Sequence, residues 1–373
     1  MSIPRSVGFP AMMKEAGERR VFLPTFIHRL AETGVDIHLE KGYGEKLGIE
    51  FRSYQVSGAH ILEESREDVF QQDVVVVLRS PELKELELLR RGSTLVSMLH
   101  FSTRPKRVQR LKELGINAIA LDGIASKTGI RLVQNMRAVA WNGLETAFDI
   151  FEKKWPKLRK PDGEPIRVLV LGTGMVGKHA VEAASKFGSP SRNKMILEAG
   201  NAGVIVSALG RSTTSNIETM KKLFSQTDIL VDTTQRQDTS KPVVPNNWLA
   251  WLPSHAIIVD LSVDPYTLDV IPPVVRAVEG IPQGNLDQYI FYPDDVNWNA
   301  KIPAEIATDV RRTSISCYSW PGIYPRMCMR HYAGQLHPLM SVLLAKGYED
   351  LSLDGGYFEQ ALVRGSLDYF LAE

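Results

Sequence analysis

The sequence predicts an α/β fold with two Rossmann-like domains, each built on a mostly parallel sheet. Short apolar segments alternate with helical segments along the chain, several of those helical segments end at glycine, and a glycine-rich loop follows one apolar segment near residue 172. Strand–helix–strand alternation of this kind is typical of parallel sheets covered by helices. A length of 373 residues accommodates two such domains.

The first half of the chain carries the first alternating series. Its strands are predicted at VDIHLE (35–40), DVVVVL (73–78), STLVSML (93–99) and INAIAL (116–121). The unbroken apolar run at 73–78 indicates a strand that is buried on both faces. The intervening segments FIHRLAETG, PELKELELLRRG and RPKRVQRLKELG are predicted helices, because each closes at a glycine, a common helix stop.

A second series follows a predicted long helix at about 130–155 and the segment KLRKPDGEP (157–165). The charges, prolines and glycine of that segment indicate a linker. The strands of the second series are IRVLVLG, AGVIVSALG, DILVDTT and AIIVDLS, and the tail of the chain is helical again. We therefore expect a substrate domain of residues 1–140 plus 301–373, with a nucleotide-binding domain of residues 141–300 inserted in it.

Composition limits the partners that we expect. The net charge of +1 predicts no general attraction to nucleic acid or acidic membranes. Cys317 and Cys328 lack the spacing of a zinc site, so we expect two ordinary thiols and no metal. The N-terminal segment has no signal-peptide pattern, and no apolar run approaches the roughly 18 residues of a membrane span. We expect a cytoplasmic homo-oligomer that acts on a small molecule.

The segment VLVLGTGMVGKHA (168–180) predicts a dinucleotide-binding loop, because its glycines follow a predicted strand and open a predicted helix. The first glycine permits a tight turn, the second lets the backbone approach a pyrophosphate, and the third allows close helix–strand packing. An ordinary glycine-rich strand–helix turn is the structural alternative. The expected cofactor-binding residues of the loop are Gly172, Gly174, Met175, Val176 and Gly177.

The next strand, GVIVSALGRST, favours NADP(H) over NAD(H). An Asp or Glu at its end would hold the ribose 2′-hydroxyl of NAD, and none is present. Arg211 and Ser212 stand there instead, and an arginine beside a hydroxyl suits a 2′-phosphate. A surface arginine is the alternative, and the insertion SPSRNKMILEAGN (189–201) makes the alignment of this strand imperfect, so NAD(H) remains possible.

Three segments of the first domain place polar groups at the ends of predicted apolar strands: GERRVFLP (17–24), VVVVLRSP (74–81) and VSMLHFS (96–102). Sites of parallel sheets are built at strand ends. Arg20 and Arg79 could hold a carboxylate, and His100 could exchange a proton near neutral pH. Taken alone, each has a structural alternative, a surface arginine or a core histidine.

Together these segments resemble the alanine dehydrogenase and pyridine nucleotide transhydrogenase family, with saccharopine dehydrogenase as a more distant relative. KEAGERRV resembles the family's K-x-x-E-x-R-V element, RSP and LH match its KEP-then-LH spacing, DLSVD its D-x-x-x-D strand end, and SWPGIYPR its PNxPG-x-xPR segment. The resemblance implies that Arg20 binds the substrate carboxylate and that His100 is the acid/base residue. It also implies that Asp264 lies in the catalytic site and that Met136 lies on the substrate side.

The sequence departs from the family at several substrate-facing positions. Arg79 replaces the family's lysine, so it stays charged and can polarise a carbonyl or hold a carboxylate but cannot act as a general acid. Ser319 replaces an asparagine, and Pro265 follows Asp264 where the family has a polar residue. The chain also resembles the NADPH-dependent carboxyethylornithine synthases, in the segments GERRV and KGYGEKLGI and in the absence of an acidic residue after the strand GVIVSALGRST. Enzymes of that branch condense an amino acid with pyruvate and reduce the imine.

The resemblance therefore implies an NAD(P)-dependent amino-acid dehydrogenase that transfers hydride at Cα. His100 would move protons, Arg20 and Arg79 would orient the carboxylate and carbonyl, and Asp264 would stabilise the cationic nitrogen. One alternative is an opine-type synthase. Another is a non-catalytic NADP-binding sensor that lost turnover with the lysine. A third is a transhydrogenase-like subunit, which is disfavoured because no membrane segment or partner-binding extension is recognised.

Overall fold

The computed structural model of the chain describes residues 3–200 and 202–372. The strands are β1 (Ser6–Phe9), β2 (Asp36–Glu40), β3 (Ile61–Glu64), β4 (Val74–Arg79), β5 (Thr94–Met98), β6 (Asn117–Ala120), β7 (Ile166–Leu171), β8 (Val204–Leu209), β9 (Ile229–Asp232), β10 (Ile257–Asp260), β11 (Ile290–Phe291) and β12 (Thr313–Ser316). The helices are α1 (Pro24–Ala31), α2 (Arg66–Phe70), α3 (Pro105–Leu114), α4 (Met136–Lys154), α5 (Met175–Ser185), α6 (Pro190–Ala199), α7 (Arg211–Thr214), α8 (Ile217–Phe224), α9 (Pro325–Lys346), α10 (Tyr357–Arg364) and α11 (Leu367–Ala372).

The first unit contains the described residues up to Asn135 together with those from Tyr324 onwards. Its six strands form one parallel sheet in the order β3-β2-β1-β4-β5-β6. Every residue of β4 except the last is buried, as its unbroken apolar sequence predicts. Helix α9 supplies core residues to this sheet, so the C-terminal helices belong to the first unit as expected.

The second unit contains residues 136–323 and a sheet in the order β11-β12-β10-β9-β7-β8, in which only β11 runs antiparallel to its neighbour. Alternate residues of β7 enter two different cores: Val168 and Val170 pack in one, Leu169 and Leu171 in the other. The sheet is thus covered on both faces, which is the arrangement of a doubly wound domain. The predicted α/β class with two mostly parallel sheets is confirmed.

The unit boundaries lie at 135/136 and 323/324 rather than at the expected 140/141 and 300/301. Helix α4 packs along α5 in the second unit, so its whole length, including Met136, belongs there. Strand β12 pairs with β10, which places residues 301–323 in the second unit as well. The predicted linker at 157–165 lies inside that unit.

Two predicted elements of the first unit are wrong. GERRVFLP (17–24) is not a strand: it is a loop that leads into α1, and the strand of this region is β1, which ends earlier, at Phe9. PELKELELLRRG forms only a 3₁₀ turn at Glu85–Leu88. The carboxylate of Glu85 accepts the amide of Glu82 and the guanidinium of Arg66, and these bonds hold the segment in a compact turn. No helix within the described residues is long and apolar enough to cross a membrane.

Candidate active site

The glycine loop joins β7 to α5, as its sequence predicts. Gly172 has φ +101°, and a Cβ there would lie 2.7 Å from the carbonyl oxygen of Thr233. A Cβ on Gly177 would lie 2.3 Å from the carbonyl oxygen of Gly172. Both positions require glycine for internal reasons, a left-handed turn and close helix–strand packing.

Gly174 differs from these two glycines, because the folded protein does not require it. Its φ is −70°, and a Cβ there would meet nothing within 4 Å. Gly174 is also the N-cap of α5, and no side chain caps that helix end. Open space above uncapped backbone amides fits the pyrophosphate of a dinucleotide, which binds at helix N-termini. Met175 exposes 55% of its surface on the first turn of α5, and Val176 packs partly into the core.

Arg211 and Ser212 lie beside this loop. Leu171 and Leu209 are partners in the β7–β8 register, and the amide of Gly172 donates to the carbonyl of Leu209 at 2.9 Å. Both Arg211 and Ser212 are exposed, two and three residues beyond that point, and no acidic residue follows before Glu218. The Arg211 guanidinium donates a long hydrogen bond of 3.3 Å to the carbonyl of Gln235, its one side-chain bond within the described part of the chain. These side chains could therefore bind the 2′-phosphate on the adenosine ribose of an NADP(H) molecule bound at the glycine loop.

In the first unit, Arg20 is buried and paired. Its side chain is 4% exposed and forms a two-pronged contact with Glu18: Nε to Oε1 at 2.9 Å and an Nη to Oε2 at 2.5 Å. The thiol of Cys328, on α9, also interacts with Arg20. Arg20 reaches this position from the loop before α1, not from a strand end. Its carboxylate-binding edge is thus engaged by the protein's own Glu18.

Arg79, the last residue of β4, is held on one side only. Its Nη1 donates to both oxygens of Glu15, at 3.0 and 2.9 Å, and to Glu18 at 2.9 Å. Among the described residues, none accepts from Nε or Nη2, and the side chain is 24% exposed. We call Glu15, Glu18, Arg20 and Arg79 the arginine–glutamate cluster. Its charges balance, and it presents one open guanidinium edge that could bind a carboxylate bidentately.

Glu18 is the centre of this cluster. Burial alone would raise the pKa of its carboxyl, but hydrogen bonds and charge from Arg20 and Arg79 outweigh burial and lower the pKa to about 2. Glu18 is therefore an anion at any working pH, and it fixes both arginines. Sequence reasoning missed Glu15 and Glu18 as site residues, although both stand in the KEAGERRV segment.

His100 lies two residues past the end of β5, and Met98, the last residue of β5, is the partner of Arg79 in the β4–β5 register. The His100 backbone is left-handed, with φ +51°. Asp122, just after β6, accepts from the His100 amide at 3.1 Å and lies 3.1 Å from Nδ1. Burial raises the pKa of Asp122, but its bonds to His100 more than compensate and lower it. Asp122, which sequence reasoning missed, thus engages Nδ1 of the ring, and 52% of the His100 side chain is exposed.

Asp264 lies in the second unit, four residues past the end of β10. Arg236 binds its Oδ2 at 2.7 Å. Burial raises the pKa of Asp264, and Arg236 only partly offsets that effect. The structure thus gathers Arg20, Arg79 and His100 in the first unit, and it places Met136 and Asp264 in the second.

Residues 10–140 match the family model described as the N-terminal domain of alanine dehydrogenase/PNT. Alanine dehydrogenase of Bacillus subtilis is 27% identical over 191 residues, 49% of this chain and 50% of that protein. NAD(P) transhydrogenase subunit alpha of Cereibacter sphaeroides is 26% identical over 189 residues, 49% of this chain and 36% of that subunit. A solved L-alanine dehydrogenase has a TM-score of 0.71 at 20% identity, covering 97% of this chain and 94% of that one.

The sequence match therefore spans 50% of the Bacillus enzyme and 36% of the transhydrogenase subunit, whereas the structural match extends over nearly the whole chain. At this identity the structural match establishes the fold, two Rossmann-like domains. The resemblance inferred from the sequence is confirmed as a similarity: residues 10–140 match the model of the alanine dehydrogenase/PNT N-terminal domain, and the chain has the fold of a solved L-alanine dehydrogenase.

Proposed function

We propose that the protein is an NAD(P)-dependent oxidoreductase that acts on the CH–NH group of an amino acid, by oxidative deamination or by reductive amination of a 2-oxo acid. The observation that carries the proposal is that Arg79, which has an open guanidinium edge, and the half-exposed His100 stand at the ends of the neighbouring parallel strands β4 and β5. A carboxylate anchor next to a proton carrier is the pair that an α-amino acid requires.

Each residue then has a defined task. Nε and Nη2 of Arg79 hold the α-carboxylate, while Glu15 and Glu18 fix the guanidinium from the other side. His100 takes and returns the proton at Nε2, because Asp122 occupies Nδ1. Asp264 offers a carboxylate oxygen to the substrate nitrogen. A bound nicotinamide dinucleotide would supply the hydride chemistry at its nicotinamide ring. Its pyrophosphate fits the glycine loop, where Gly174 leaves open space.

The cluster favours a substrate with one carboxylate over the two carboxylates of an opine. An opine would suit two free guanidinium groups, one for each of its carboxylates. The guanidinium of Arg20 is not free, because it pairs with Glu18. One open edge remains on Arg79, enough for the α-carboxylate of a simple amino acid. We therefore place amino-acid dehydrogenation ahead of opine synthesis.

The substrate class is tested by following NADPH absorbance with a panel of 2-oxo acids, each with ammonia or with a diamino acid such as ornithine or lysine. We expect oxidation of NADPH with ammonia and one 2-oxo acid, unchanged by added diamino acid. Much faster oxidation with the diamino acid would replace this proposal with opine synthesis. If the protein binds NADPH but turns over none of the substrate combinations, a non-catalytic NADP-binding sensor would be indicated.

The cofactor preference is tested at Arg211, which we propose binds the 2′-phosphate of NADP(H). Arg211→Ala should weaken NADPH binding by about 1.5–3 kcal/mol, the value of a charge-assisted contact, and should leave NADH binding nearly unchanged. Isothermal titration calorimetry measures both affinities. Arg159→Ala is the matched control, because Arg159 is also exposed and its hydrogen bonds within the described residues go to backbone carbonyls. Equal affinity of the unmodified protein for the two cofactors would rule out the preference.

A further inference from the structure

Arg236 is a buried arginine that neither the sequence pattern nor the proposed reaction assigns. It lies four residues past the end of β9, and its side chain is 5% exposed. One Nη donates to the carbonyls of Thr239 and Lys241, at 3.3 and 2.8 Å. The other donates to the carbonyl of Val275 and to Oδ2 of Asp264. One side chain thus joins its own loop to two later segments of the second unit.

The contact fixes one oxygen of Asp264 and leaves the other available. Within the residues that the structure describes, Oδ1 of Asp264 has no hydrogen-bond partner, and 32% of the side chain is exposed. Burial and the nearby Asp260 carboxylate raise the pKa of Asp264, whereas Arg236 and the more distant Arg276 lower it. Arg276 is committed elsewhere, to Asp260 at 2.8 Å, so Arg236 is the cation that Asp264 contacts.

We propose that Arg236 is a positioning residue that grips Oδ2 of Asp264 and so presents Oδ1 as the acceptor for the substrate nitrogen. This inference rests on the proposed function, because it assigns Arg236 to the nitrogen end of the same reaction. A carboxylate with one oxygen fixed by a guanidinium loses rotational freedom, and its second oxygen keeps a defined direction. The proposal gives Arg236 no contact with the substrate, because its side chain is only 5% exposed whereas that of Asp264 is 32% exposed.

A purely structural role would explain the three carbonyl contacts equally well, so the experiment must separate the two roles. A double-mutant cycle does this with Arg236→Met, Asp264→Asn and the double variant. If Arg236 acts through Asp264, each single change lowers kcat/KM for ammonia by roughly ten- to hundredfold. The double variant is then no slower than Asp264→Asn alone. Independent, multiplied losses would overturn the proposal.

Arg236→Lys and Arg312→Met complete the series. Lysine keeps the cation near Asp264 and should restore part of the activity that methionine loses. Arg312 is a matched control, because it is partly buried in the same unit and donates to three backbone carbonyls without touching a carboxylate. Arg312→Met should leave the kcat/KM for ammonia within about twofold. A loss equal to that of Arg236→Met would mean that lost loop contacts alone explain the effect.

A second readout needs no turnover. The Asp264 carboxyl can be titrated by ¹³C NMR, with Asp264→Asn to assign its resonance. Removal of the Arg236 cation should raise the pKa of Asp264, because the ion pair favours the charged form. An unchanged pKa of Asp264 in Arg236→Met would overturn the proposed positioning of Asp264 by Arg236. If the unmodified protein turns over no substrate, the proposed function fails, and this titration still decides whether Arg236 controls Asp264.

Discussion

His100→Ala should lower turnover by roughly 10²–10⁴-fold, the usual contribution of a positioned general acid or base. Among the described residues, the proposed reaction assigns proton transfer to His100 and to no other side chain, so its loss should not be compensated. NADPH affinity should be unchanged, since the residues proposed to bind the cofactor, the glycine loop and Arg211, do not include His100. Steady-state kinetics and calorimetric titration with NADPH measure the two quantities.

His60→Ala is the matched control for this prediction. His60 is also exposed, at 61%, and also pairs through Nδ1 with an aspartate, Asp36, at 3.1 Å. It lies just before β3 in the same unit, and the proposed reaction gives it no task. His60→Ala should therefore retain normal turnover. Equal turnover of His100→Ala and the unmodified protein would mean that His100 serves structure, and the proposed proton transfer would be wrong.

The elements that sequence predicts well are those whose physics is local. DVVVVL reads as a doubly buried strand because every side chain in it is apolar, and β4 is buried as expected. The glycine loop is local in sequence, because the left-handed turn at Gly172 and the close packing of Gly177 on Gly172 involve residues five positions apart, although both glycines also approach the distant Thr233. Helix α3 begins with Pro105 and ends at Gly115 with φ +65°, the signals that predict its bounds.

The pairing of charged residues could not be predicted, because it depends on contacts between distant segments. Arg79 and Glu15 are 64 residues apart, and His100 and Asp122 are 22 apart. Which segments meet at one edge of a parallel sheet depends on the order of the strands, and the sequence does not show that order. The sequence therefore indicated the arginines and the histidine, but not the carboxylates that decide which guanidinium edge remains open.

The glycine loop provides the second large effect. Gly174→Val should leave the folded protein nearly unchanged, because its φ suits any residue and a Cβ there meets nothing within 4 Å. It should nevertheless weaken NADPH and NADH binding alike. A side chain at this position displaces the pyrophosphate from the amides of α5, and each charge-assisted hydrogen bond lost costs about 1.5–3 kcal/mol, roughly 10- to 150-fold in Kd.

Gly356→Val is the control that separates cofactor exclusion from damage to a helix end. Gly356 is the N-cap of α10, with φ −68°, and a Cβ there also meets nothing within 4 Å. Valine is a poor N-cap, so both variants should lose a similar small amount of thermal stability. Only Gly174→Val should lose cofactor affinity. If both variants bind NADPH as the unmodified protein does, the backbone at Gly174 does not contact a pyrophosphate, and the loop is an ordinary glycine-rich turn.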